Sequence, residues 1–233
     1  MMKKGIDVSE WQGDIDWKKV MTDYVILRAG YGREISQKDK KFEQNYSGAK
    51  SAGIPCGAYW YSYATSEEEA RKEAAVCIEV LKGKQFEYPI YYDVEEQRIF
   101  NLGKEKVSAI INAFLTELEK AGYYAGLYMS TYYLTTFTTD FIKHRFTVWV
   151  AHYDVAKPTY TGDYGMWQKG KGSVAGISGD TDLDECYVDY PDIIRKAERN
   201  GFKNAAPAVQ AKKSIKVTIE LDDHTYSGLL EER

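Results

Sequence analysis

The sequence predicts an α/β barrel, irregular in its second half and followed by a small β extension. Three observations carry this. Short apolar runs alternate with longer helix-patterned segments over most of the 233 residues. There are eight such runs, the number that closes a (β/α) barrel. Several are apolar at consecutive positions, as strands covered on both faces of a parallel sheet are.

In order, the runs are KGIDVS, YVILRAG, CGAYWYS, YPIYYDV, YAGLYMS, FTVWVAHY, YGMWQ and ISGDTDL, rich in Val, Ile, Tyr and Trp. Between them, Lys38–Ala52 carries Phe42, Tyr46 and Ala49 at helical spacing, and Gly53 follows as a stop. Ser66–Leu81 opens SEEE, a capping signature that puts acids at the positive end of the helix dipole. Gly103–Ala121 repeats apolar residues at Val107, Ile110, Ile111, Phe114, Leu115 and Leu118, and Gly122 suits the position just past its end. Tyr132–His144 is a more broken pattern, and Asp189–Asn200 reads as a last helix. Connections after the fifth run are too short for full helices. An open doubly wound sheet would need a glycine-rich first turn for a nucleotide, which GIDVSEWQG does not supply.

Near Lys203 the composition changes. Residues 203–213, KNAAPAVQAKK, read as a linker between a barrel at 1–202 and an extension at 214–233. In that extension Ile215, Val217, Ile219 and Leu221 alternate with Lys216, Thr218 and Glu220. Asp222 and Asp223 can turn the chain, and HTYSGLL can return as the second strand of a β-hairpin. A lone hairpin is marginal in water, so it either folds back onto the barrel or self-associates by pairing with a second copy. Both options are open at this level.

Composition narrows the function classes. Hydrophobic residues make up 44%, charged residues 28%, and the net charge is −4, which excludes whole-chain disorder and the basic stripe of a nucleic-acid binder. No run is long and apolar enough to enter a membrane, and MMKKGIDVSEWQG lacks the apolar core of a signal peptide. Synthesis in the cytoplasm, with no membrane insertion, is the expectation. Cys56, Cys77 and Cys186 are too few and too dispersed for a disulfide framework, and the three His show no metal-ligand spacing. No metal or cofactor is expected. The 20 Tyr suit a sugar, whose apolar CH faces and hydroxyls match a ring with a polar tip, and they suit core packing as well.

The chemistry centres on YPIYYDVEEQ. Asp93 and Glu95 stand at i and i+2, so both point to one face, at the C-terminal end of the fourth run where barrel active sites lie. Two crowded carboxyls cannot ionise equally, which yields one proton donor and one anion, the pair that glycosidic cleavage requires. Asp7 ends the first run and Asp182 the last, and those strands are neighbours in a closed barrel. DTDLDE opens like a calcium loop, but Glu185 stands where its glycine should be and Pro191 where its final glutamate should be.

Taken together, GIDVSEWQG, YVILRAGYG, GAYWYSYA, YYDVE, WVAHY, MWQ and GISGDTDLDE, in this order, resemble the lysozymes of glycoside hydrolase family 25 over roughly residues 3–200. The resemblance implies an irregular TIM-like barrel of five β/α units and three further strands. It implies Glu95 as general acid/base, Asp93 as its partner carboxylate, and Asp7 and Asp182 as the other acids of the mouth. The implied substrate is the β-1,4 bond between N-acetylmuramic acid and N-acetylglucosamine of peptidoglycan, cut with retention. Asp93 would attack the sugar or orient the substrate's own acetamido group, a choice the spacing leaves open. Tyr61, Tyr128, Trp149 and Trp167, with Gln168, are candidates to line the sugar groove, and Tyr59 or Trp60 could replace Tyr61. The family's histidine after GAY is Trp60 here. The setting suggested is a phage or prophage endolysin released through a holin pore. A non-catalytic wall-binding barrel is the alternative, although such a protein would normally have lost its proton donor.

Overall fold

The computed structural model describes residues 2–202 and, beyond them, the strands at 214–221 and 224–231. The chain divides into two compact units, Met1–Phe202 and Lys203–Arg233.

The first unit is a closed barrel of β1 (Lys3–Val8), β2 (Tyr24–Tyr31), β3 (Cys56–Tyr61), β4 (Ile90–Asp93), β5 (Ala125–Ser130), β6 (Thr147–Ala151), β7 (Met166–Ser173) and β8 (Asp180–Cys186). Neighbours from β1 through β7 run parallel. The last strand departs from the sequence reading. β8 begins and ends three residues later than the run ISGDTDL and lies antiparallel to both β7 and β1. Asp182 is therefore near the start of its strand rather than the end. Because the strand is reversed, its start still opens on the mouth, where Asp182 pairs directly with Asp7.

The helices are α1 (Phe42–Ser51), α2 (Glu67–Leu81), α3 (Gln97–Phe100), α4 (Lys104–Lys120), α5 (Thr131–Phe137), α6 (Asp140–Arg145) and α7 (Tyr190–Lys196). The Ser66 hydroxyl caps α2 by accepting from the Glu69 amide at 3.2 Å. The broken 132–144 pattern resolves into two short helices, α5 and α6. Apolar stripes on α2 and α4 pack with the outward faces of the strands in one continuous cluster.

Inside the barrel a second cluster holds Tyr24, Tyr88, Tyr91, Trp149, Met166 and Tyr190. Rings this large fit because small residues face them. A Cβ on Gly5 would lie 2.1 Å from the Tyr24 ring, and one on Gly126 would lie 2.5 Å from the Tyr91 ring. Cys56, Cys77 and Cys186 are buried free thiols, and burial raises the proton affinity of each.

In the second unit, β9 (Ser214–Leu221) and β10 (His224–Glu231) form an antiparallel pair from Ser214↔Glu231 to Leu221↔His224. The expected linker at 203–213 and the Asp222–Asp223 turn lie outside the described residues.

Candidate active site

Each of the four candidate acids comes from a strand end at one mouth. Asp7 sits near the end of β1, Asp93 closes β4, Glu95 follows two residues later, and Asp182 sits near the start of β8. The β4 exit stays extended because the Val94 amide donates to the Tyr128 carbonyl at 3.2 Å, while Asp93 accepts from the Ser62 amide at 2.9 Å through its own carbonyl. Alternation then keeps Asp93 and Glu95 on one face.

A cavity of about 210 Å³ gathers Asp7, Asp93, Glu95 and Asp182 with Tyr59, Tyr128, Trp149, Tyr153, Gln168 and Lys171. It shares Glu95, Tyr128 and Tyr153 with a wider groove of about 610 Å³, whose remaining wall includes the hydroxyl-bearing residues Ser130, Thr131, Thr135, Thr136 and Thr159. A separate recess holds Trp11, Tyr31, Tyr61 and Tyr63 with Arg28 and Glu10.

The polar contacts are ordered. The Gln168 amide donates to Asp7 Oδ2 at 2.7 Å, and its oxygen accepts from the Tyr128 hydroxyl at 2.6 Å and from Tyr153. Trp149 Nε1 donates at 2.9 Å to Asp184, a buried acid two residues beyond Asp182. Arg28 is committed elsewhere, to Asp39 at 2.6 Å and Glu10 at 2.8 Å, though its charge reaches Asp93. Lys171 stands 3.8 Å from Asp182.

Too few cations face these acids for all to ionise. Burial, then the Asp182 charge, pushes Asp7 up to about 8. Asp93 is raised by burial, then by Glu95 and Asp7, and its Oδ1 is buried without a hydrogen-bond partner. Glu95 is open to the groove on its outer side, while the protein crowding its inner side, then Asp182 and Glu96, raise its proton affinity. Asp182 is also raised by burial, with Lys171 opposing. Every acid of the mouth therefore holds its proton more tightly than a free carboxyl does, and the four cannot titrate independently.

Among the groove candidates, Tyr128, Trp149 and Gln168 line the acid cavity. Tyr61 lines the neighbouring recess instead, and its hydroxyl donates to Glu96 at 3.0 Å. Tyr59 reaches the acids, whereas Trp60 turns outward and donates to the Gly32 carbonyl at 2.9 Å. Trp167 is not brought to the site. It packs in the outer cluster and donates to the His152 carbonyl at 2.8 Å. Gln168 next to it faces inward, and consecutive strand residues cannot share a face. The sequence reading passed over Asp184 as a site residue, although its i, i+2 spacing from Asp182 is the same signal that paired Asp93 with Glu95.

A closed barrel that sets several carboxyls of raised proton affinity side by side at the mouth of an open groove has the architecture of a glycoside hydrolase. Residues 6–177 match the model of glycosyl hydrolases family 25, and the chain belongs to that family. Asp182 and Asp184 lie beyond the matched stretch. The chain is similar to the autolytic lysozyme of Clostridium acetobutylicum, with 30% identity over 188 residues, and the match spans 78% of this chain but only 55% of that protein. Among solved structures it resembles the CTP1L endolysin, with 27% identity and a TM-score of 0.74 over 83% of this chain and 70% of that one. It also resembles the modular autolysin LytC of Streptococcus pneumoniae, solved with a synthetic peptidoglycan ligand. That likeness has 33% identity and a TM-score of 0.69 over 80% of this chain and 47% of LytC.

Proposed function

We propose that the chain hydrolyses peptidoglycan at the β-1,4 bond between N-acetylmuramic acid and N-acetylglucosamine, with retention of configuration. The observation that carries this reading is the Asp93–Glu95 pair, two carboxyls on one face at a strand end with raised proton affinities. Glu95, the more accessible, donates its proton to the leaving oxygen as the C–O bond breaks. Asp93 either attacks the anomeric carbon or orients the acetamido oxygen that does. Glu95, now an anion, then takes a proton from water, whose oxygen completes the hydrolysis. Asp7 and Asp182 set the field in which the pair divides its protons. Tyr128, Trp149 and Gln168 hold the sugar beside them.

Residues 1–202 are the catalytic body in this reading, 203–213 a linker and 214–233 an appended hairpin. An endolysin setting, with release to the wall through a holin pore, suits the family likenesses. Pairing of the hairpin with a second copy is tested by comparing solution mass with and without residues 205–233.

Digestion of purified peptidoglycan, with Glu95→Gln alongside, tests the activity. Fragments ending in reducing N-acetylmuramic acid are expected from the parent. The variant should be slower by about 10²–10⁴-fold while still binding the wall. Retention on the wall without fragments, from a folded parent, would favour the wall-binding barrel instead.

A further inference from the structure

Beneath the four mouth acids lies a fifth carboxyl, Asp184. Across the antiparallel β1–β8 ladder its register partner is Gly5, while Asp7 pairs with Asp182. Gly5 has no side chain, so the Asp184 carboxyl meets its diagonal neighbour, Asp7. Asp184 is only 2% exposed. Its Oδ1 accepts from Trp149 Nε1 at 2.9 Å, and its Oδ2 is buried with no N–H or O–H donor among the described residues.

The groups around Asp184 leave it no counter-charge. From β1 it faces Asp7, from its own strand Asp182 and Cys186, and from β2 the Tyr24 hydroxyl, which is itself buried without a hydrogen-bond partner. Trp149 on β6 has spent its one N–H, and the Gln168 amide on β7 is committed to Asp7 Oδ2. On this diagonal, with no side chain on Gly5 between them, the Asp7 and Asp184 carboxyls press directly on one another. Ionised carboxylates only accept, so two in contact require a proton between them. The deeper group, facing no cation, is the one that keeps it.

We propose that Asp184 is a positioning residue that retains a proton and donates it in a hydrogen bond to a carboxyl oxygen of Asp7, fixing that side chain at the barrel mouth. This rests on the reading of the mouth as a catalytic centre. Held by Gln168 at Oδ2 and by Asp184 from the β8 side, Asp7 cannot swing towards Asp93.

Two readouts test it. In infrared spectra at neutral pH, Asp184→Asn should lose one protonated-carboxyl band that the parent shows, and this needs no turnover. On peptidoglycan, Asp184→Asn keeps a donor that cannot ionise. It should hold kcat within about threefold of the parent at neutral pH and extend activity to higher pH. Asp184→Leu removes the donor and should lower kcat by about 10²-fold with KM little changed, as misplacement of a reacting group does. If that variant does not fold, Asp184→Asn decides alone. An unchanged carboxyl band, a pH profile that overlays the parent's, or a folded Asp184→Asn inactive at every pH would each overturn the proposal. A parent that produces no fragments would overturn the hydrolase reading, while the infrared band would still report the proton.

Discussion

Tyr91 and Asp93 point the same way from β4, yet one belongs to a packed aromatic floor and the other to a crowded acidic mouth. On the floor, Tyr91 lies 5.2 Å from Trp149 between ring centroids and donates to Met166 Sδ at 3.0 Å, while Tyr24 and Tyr88 stack at 4.4 Å. At the mouth, Asp93 keeps a buried oxygen with no partner, and carboxyls face carboxyls. The same inward alternation builds both. The difference teaches that the floor stores stability that the mouth consumes, since unpaired buried acids cost free energy and apolar rings supply it.

The sharpest test of that division is Asp93→Asn. Its rate on peptidoglycan should fall by about 10²–10⁴-fold, yet it should melt no lower than the parent, because a buried carboxyl short of partners is replaced by a group that cannot ionise. A large drop in melting temperature would mean that Asp93 holds the fold together. The converse substitution, Tyr91→Ala, should cost about 3–5 kcal/mol in denaturant unfolding, as other buried large-to-small aromatic changes do. A loss below about 1 kcal/mol would remove the floor from its structural role.

The same division also sets a pH dependence. Asp7 rises from 3.8 to about 8, so the folded chain holds a proton that the unfolded chain has released. A raised carboxyl adds stability below its unfolded pKa, and that stability is lost as pH climbs through the folded value. Melting temperature should therefore fall between about pH 5 and pH 8, and the slope should flatten in Asp7→Asn. A flat parent profile over that window would show the mouth to be better compensated than its geometry implies.

Much of this division could be read from the chain. The eight runs, the α2 cap and the i, i+2 acids are local signals, set by alternation and capping chemistry. What escaped depends on closure. Nothing local in DTDLDEC states that β8 runs antiparallel to its neighbours, because the direction of a strand is fixed by the sheet edge it must complete. Trp167 and Gln168 were placed on one face, although the alternation that pairs Asp93 with Glu95 forbids it. Asp184 was passed over because a sequence shows neither burial nor the missing side chain of Gly5 that lets it reach Asp7.

The three thiols of this fold have a further consequence. Cys56 is held up to about 12, Cys186 to about 11, and Cys77 well above the usual thiol range, each by burial. Oxidation and disulfide exchange proceed through an accessible thiolate, which none of them offers while the chain is folded. The thiols are thus indifferent to the redox poise of their surroundings: glutathione has no bridge here to reduce, and an oxidant no ready thiolate to attack.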